Sequence, residues 1–239
     1  MTRENMTRRG FVGLAGAAAL ALAGCSSSGA SDGSAKKDGG SSAAGSSSQG
    51  SSSSSSTDAS SDGLWAPEDG DPYAAGTHHA SIEVEGLGTI EVALNANVAP
   101  ITVANFCRLA NEGFYDGLTF HRVIEGFMIQ GGDPKGDGTG GSDQCIKGEF
   151  TQNGVSNPIS HVRGTISMAR SSDFDSASSQ FFIMHATNTS LDGKYAAFGN
   201  VTSGLEVVDA IAEQTPVQDS NGTVASADQP RISKVTVVD

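Results

Sequence analysis

The sequence predicts a mainly β domain, a closed antiparallel barrel rather than a parallel sheet. Three observations carry that prediction. Short alternating apolar and polar runs recur through the C-terminal two thirds, only two stretches have a helical period, and Gly-centred turn signals separate the runs. Ser81–Glu85 and Thr89–Leu94 alternate around Gly86-Leu87-Gly88, the pattern of a hairpin. Pro100 opens a helix that Gly113 stops, with Ile101, Val103, Ala104, Phe106, Leu109 and Ala110 on its apolar side. Two short strands at 119–124 and 127–130 flank Glu125-Gly126, and a Gly-rich loop covers 131–142. Further strands are expected at 163–169, 180–185 and 196–201. A second helix, Leu205–Glu213, precedes a last alternating strand, Ile232–Val238. The alternating first and last strands are candidates to pair and close the sheet.

The N-terminus belongs to a different class. Arg8 and Arg9 precede the apolar run Phe11–Ala23, and Leu22-Ala23-Gly24-Cys25 follows. That run is shorter than the ~18–20 residues a membrane-crossing helix needs, so residues 1–24 read as an export signal. Small residues before a cysteine resemble the bacterial lipobox, in which the cysteine receives a diacylglyceryl group. The alternative, a cleaved signal with an incidental cysteine, leaves unexplained why the polar run starts directly after Cys25. Thr7–Val12 also resembles a twin-arginine signal, although paired basic residues occur in signals of any kind. From Ser26 to Ser61, 18 of 36 residues are serine and no apolar period exists, so nothing repays the entropy of ordering them. Residues 25–76 are therefore expected to be a lipidated, flexible tether, its Ser-rich part reaching roughly 30–36 Å. Residues 77–239 are expected to be one domain, anchored at the extracytoplasmic side of the cell membrane.

Removing residues 1–24 takes away three Arg and one Glu, moving the formal charge from −13 to −15. An acidic surface without a basic run argues against a nucleic-acid partner. Cys107 shares a helical face with Val103, Phe106 and Ala110, which favours a buried thiol over a disulfide with Cys145. Gly136–Gly141 formally satisfies GxGxxG, but no helical period follows, so it reads as a plain Gly-rich loop. GxSxG, HExxH and zinc-type Cys/His spacing are absent from residues 77–239. His78-His79 reads as an exposed pair, and His121, His161 and His185 as structural histidines. Asn188-Thr189-Ser190 is a glycosylation sequon without meaning in a bacterial cell.

Residues 120–133, FHRVIEGFMIQGGD, place two polar side chains in an apolar strand pair. Period 2 puts Arg122 and Ile124 on one face of the first strand, and Met128 and Gln130 on one face of the second. Alone, this pattern also fits a solvated face on which Arg lies flat. Ser179–Ile183 again sets an amide, Gln180, beside Phe181 and Phe182, and the two segments together could line a shallow apolar groove. Such a groove lacks a nucleophile with a base, paired acids and a metal set.

The same residues resemble the signature of the cyclophilin family of peptidyl-prolyl isomerases. Gly138–Gly141, Ser167-Met168-Ala169, Ser179–Ile183, Leu191-Asp192-Gly193 and Phe198-Gly199 follow in the family's order across residues 80–239. The resemblance implies an eight-stranded barrel capped by two helices, with a peptide groove on its outer face, no cofactor, and action as a monomer on proline-containing polypeptides. It implies Arg122 as the catalytic donor. Phe127, Met128, Phe182 and Leu191 would form the proline pocket and Gln130 would hold the substrate amide. Ile124, Gly138, Ala169 and Gln180 would complete the groove. Three positions depart from the best-known members. Arg170 replaces an Asn whose backbone makes the family's contact. Tyr195 replaces a His at the pocket rim, and Ser190 a Trp associated with cyclosporin binding. A proline-binding chaperone module is the competing reading, and the retained Arg122 argues against it. A solute-binding lipoprotein would suit the signal and tether, but the domain is too short for two lobes.

Overall fold

The computed structural model describes residues 63–239; the expected export signal, Cys25 and the Ser-rich run 26–61 lie outside the described residues. Eight strands form one antiparallel sheet: β1 (Thr77–Val84), β2 (Gly88–Asn95), β3 (Thr119–Ile124), β4 (Met128–Asp133), β5 (Thr165–Met168), β6 (Phe181–Met184), β7 (Ala197–Ser203) and β8 (Ile232–Val237). Their order is β3-β4-β6-β5-β7-β2-β1-β8. Two helices, α1 (Pro100–Asn111) and α2 (Leu205–Gln214), pack against it. No helix among the described residues is long and apolar enough to cross a membrane. The Gly-rich loop expected from residue 131 begins later, because β4 runs on to Asp133, with Gly131 and Asp133 still paired and Gly132 at a bulge between them.

Alternation decides what the sheet encloses. Ile82 and Ile90 stand opposite one another in β1 and β2, and Ile166, Ile183 and Ile129 line up across β5, β6 and β4. All five are fully buried in one core with Phe106, Phe120, Phe181 and Phe198. Phe106 of α1 is the centre of that core, its ring 5.1 Å from Tyr115, 5.7 Å from Phe181 and 5.5 Å from Phe198.

The first and last strands pair as expected, but they do not close the barrel. β3 and β8 are the two ends of the sheet, joined by a single bridge, Thr119 to Arg231. The expectation of a closed barrel is thereby corrected, and the cause is local. The segment after α2 takes the outer edge of β3: Val123 N–H donates to Gly222 O at 2.8 Å, and Val224 N–H donates to His121 O at 3.0 Å. A ladder from β8 cannot use the same backbone groups.

Packing also begins before Thr77. Trp65 N–H donates to Cys145 O at 2.8 Å, the Arg108 guanidinium lies 4.9 Å from the Trp65 ring, and Asn111 Nδ2 donates to the Tyr73 hydroxyl at 3.1 Å. These residues fall within 25–76, the stretch expected to be tether. Two aromatic side chains hold them on α1 all the same. Cys107 is a buried free thiol, not half of a bridge to Cys145, and burial pushes its pKa up to about 12.

Candidate active site

The outer face of β3, β4 and β6 carries a second apolar cluster, separate from the core. Strand register builds it in rows. Ile124, Met128 and Met184 stand opposite one another, and Arg122, Gln130, Phe182 and Ser167 form the next outward row. Met128, Ala169, Phe182, Met184 and Leu191 are buried together, with Ile124, Phe127 and Tyr195 half-buried around them. Phe182 is the floor of this pocket. The Tyr195 ring meets it edge-on at 5.9 Å, and the His161 ring stacks behind it at 5.9 Å with an interplanar angle of 15°.

A polar relay borders the pocket. Arg122 is only 7% exposed, so the solvated-face reading fails. Its Nη1 donates to Gln130 Oε1 at 3.2 Å, and Gln130 Nε2 donates to Gln180 Oε1 at 2.8 Å. Gln180 Nε2 then donates to the carbonyls of Gly138 at 3.1 Å and Gly140 at 2.7 Å. The Gly-rich loop thus serves as a set of fixed acceptors. Asp133 shapes it by accepting from the N–H groups of Lys135 and Gly138 at 2.8 and 2.6 Å. A Cβ on Gly140 would fall 2.0 Å from Asp133 Oδ1, which leaves room for glycine alone. Close approach, not dinucleotide binding, accounts for this glycine of the GxGxxG match.

Burial lowers the pKa of Arg122, but an arginine starts so high that it keeps its charge. His161 is different. Its Nδ1 lies 2.9 Å from Asp192 Oδ1 and its Nε2 lies 3.0 Å from Ser167 Oγ. The neutral ring with Nδ1–H donating satisfies both partners. Burial lowers its pKa despite the carboxylate, and it lowers that of His121 as well. A histidine whose folded pKa is depressed binds fewer protons folded than unfolded. Stability is therefore expected to fall as pH drops below about 6.5, by at most about 1.4 kcal/mol per pH unit for each histidine. Urea unfolding at pH 7.5 and 5.5 measures this, and His161→Gln should show the smaller drop.

Ten of the twelve groove residues that the resemblance assigns line this face through the pocket or the relay: Arg122, Ile124, Phe127, Met128, Gln130, Gly138, Ala169, Gln180, Phe182 and Leu191. Tyr195 and Arg170 form a coupled wall. The Arg170 guanidinium lies 4.7 Å from the Tyr195 ring and donates to Lys194 O and Ser171 O at 2.8–3.1 Å. Its side chain thus braces the rim, leaving only its backbone for a substrate.

Sequence reasoning missed three contributors. Met184 extends the pocket floor, His161 backs Phe182, and Asn221 holds Arg122 through Nε–H to its carbonyl at 2.8 Å and Nη2–H to its Oδ1 at 3.2 Å. An Asn-Gly pair at 221–222 signals a turn, but no spacing in the sequence says that the turn reaches β3. A cavity of about 540 Å³ lies apart from all of these residues, under the Trp65–Pro72 segment beside Arg108. Among the described residues no group of three His, Cys, Asp or Glu side chains is placed to hold a metal ion.

Comparison with known proteins fits this geometry. Residues 79–237 match the family model described as cyclophilin type peptidyl-prolyl cis-trans isomerase/CLD. Peptidyl-prolyl cis-trans isomerase B of Bacillus subtilis is 55% identical over 123 residues, which is 52% of this chain and 82% of that protein. Peptidyl-prolyl cis-trans isomerase A of Dickeya dadantii is 44% identical over 59% of this chain and 75% of its own length. Among solved structures, a Cryptosporidium parvum cyclophilin type peptidyl-prolyl cis-trans isomerase, crystallised in the presence of the dipeptide Ala-Pro, superposes with a TM-score of 0.60. It is 29% identical and the match covers 67% of this chain and 99% of that one. The chain belongs to the cyclophilin family and is a peptidyl-prolyl cis-trans isomerase.

Proposed function

We propose that this isomerase acts as a monomer on Xaa-Pro bonds of polypeptides outside the cytoplasm, held at a membrane by a lipid on Cys25, with Arg122 as its catalytic group. The observation that carries the chemistry is a nearly buried guanidinium standing in register with Gln130 on the rim of an apolar pocket. Rotation about the amide must break C–N resonance, against a barrier of roughly 18–20 kcal/mol. In the twisted state the proline nitrogen regains a lone pair, and Arg122 donates to it. Neither planar isomer offers that acceptor, so the bond favours the transition state over both ground states. The proline ring sits on Met128, Phe182 and Leu191, between Phe127 and Tyr195. Apolar surroundings disfavour the charge-separated resonance form that keeps the amide planar. Gln130 holds the substrate carbonyl or amide, with Ile124, Ala169, Gln180 and the backbone of Gly138 and Arg170 bordering the rest of the chain. The Ala-Pro dipeptide named for the Cryptosporidium relative supports a site of this size.

The export signal, the Leu22–Cys25 lipobox and the serine run support the tethered, extracytoplasmic setting. Two acyl chains on Cys25 suffice for stable anchoring. Cys25→Ala is expected to abolish labelling by a fatty-acid analogue and to move the protein from the membrane to the soluble fraction. Retention of the variant in membranes would refute the anchor. A Lys pair at positions 8 and 9 is expected to stop export only on the twin-arginine route.

A further inference from the structure

We propose that the turn Asp219–Val224 is the positioning element of the active-site guanidinium, with Asn221 as its contact residue. The inference rests on Arg122 as the catalytic group and deepens that reading. A guanidinium has five N–H donors in a rigid plane. Asn221 takes two of them, through its backbone carbonyl at 2.8 Å and its side-chain Oδ1 at 3.2 Å, and Gln130 takes a third. Two N–H groups, one on each Nη, are left to meet a substrate. The plane of the fork, and so the direction of those two bonds, is set chiefly by Asn221. Gln130 alone grips a single nitrogen and would leave the group free to swing.

The turn is built to hold one shape. Asp219 Oδ1 accepts from the N–H groups of Asn221 and Thr223 at 2.9 and 3.1 Å, and its Oδ2 accepts from Thr223 Oγ1 at 2.9 Å. Gly222 has φ of +82°, and a Cβ there would fall 2.3 Å from Val123 O. Only glycine lets the turn lie this close to β3. Two backbone hydrogen bonds to β3, flanking Arg122 at positions 121 and 123, then lock it in place. Gln229 pins the far end, donating to Gly136 O at 2.8 Å and Val224 O at 3.1 Å. The seam that keeps the barrel open is thus occupied by the segment that aims the arginine. A β8 ladder in its place would leave Nε without the Asn221 carbonyl.

The test compares kcat and KM for an Ala-Pro peptide by exchange NMR, on the full chain, for wild type, Asn221→Ala, Asn221→Asp, Arg122→Ala and the Arg122→Ala/Asn221→Ala pair. Asn221→Ala is expected to lower kcat about 10-fold with KM within about twofold, because misaim affects only the bond formed in the transition state. Asn221→Asp, which keeps the acceptor, is expected to restore most of it. In the Arg122→Ala background Asn221→Ala is expected to change nothing further. An unchanged kcat in Asn221→Ala, or the same 10-fold loss in both backgrounds, overturns the proposal. Wild-type turnover in Arg122→Ala would instead overturn the catalytic reading on which it rests. Urea unfolding of Asn221→Ala separates aim from folding: the proposal requires the kcat loss at unchanged unfolding midpoint.

Discussion

Arg122→Ala is expected to lower kcat for an Xaa-Pro peptide by about 100-fold while KM changes by less than about threefold. The split follows from where the guanidinium stands. Planar cis and trans amides offer the proline nitrogen no lone pair, so the ground states gain little from Arg122. The twisted amide gains a charge-assisted hydrogen bond, which the alanine variant forfeits. Proline binding survives because Met128, Phe182 and Leu191 form their pocket without the arginine. Arg122→Lys is expected to recover only part of the rate. An ammonium cannot reach the two acceptors of Asn221 and the Oε1 of Gln130 while also facing the substrate. Exchange NMR on the three proteins decides the matter, and a variant that turns over as fast as wild type sinks the mechanism.

The largest effect on stability is expected from Glu149→Ala. Helix α1 starts at Pro100 after Ala99, which has no side chain able to cap it. Glu149, on the loop before Phe150, does that work from outside the helix. Its two carboxylate oxygens accept from Ile101 N–H at 3.1 Å, Thr102 N–H at 2.7 Å and Thr102 Oγ1 at 2.7 Å. The residue is 2% exposed, so water cannot replace it once it is gone. Losing hydrogen bonds to a charged acceptor and leaving buried donors unpaired should cost about 3 kcal/mol. For a domain of this size that is a fall of about 6–12 °C in Tm by thermal unfolding. Burial pushes the Glu149 carboxyl up against the pull of those same bonds. A raised carboxyl pKa means that the folded form binds the extra proton, so this group adds stability at low pH and loses it as pH rises past its unfolded value. Glu149→Gln keeps one acceptor and is expected to cost about half as much.

Periodicity alone determined a good deal. Alternation located the first two strands and the last within a few residues, Pro100 and Gly113 bracketed the first helix, and period 2 put Arg122, Ile124, Met128 and Gln130 on one face. These are local rules, set by how side chains leave a strand or a helix, and they hold wherever the strand ends up. The long motif around Arg122 named the family for the same reason, since a groove that binds one backbone shape needs particular residues at fixed spacing. What local rules cannot reach is which distant segments meet. Asn221 lies 99 positions from Arg122, Glu149 lies 47 from Thr102, and Trp65 belongs to a stretch without any period. His161 and Phe182 stack because β5 and β6 are neighbours in the sheet, not because anything in either segment asks for it. The open seam is the clearest case. Two edges competed for the hydrogen-bonding groups of β3, and only the folded chain decides that the Asp219–Val224 turn takes them before β8 can. Sequence thus determined which side chains look outward from β3, and tertiary structure decided what holds them there, because a backbone edge can be satisfied by any segment the fold brings within 3 Å of it.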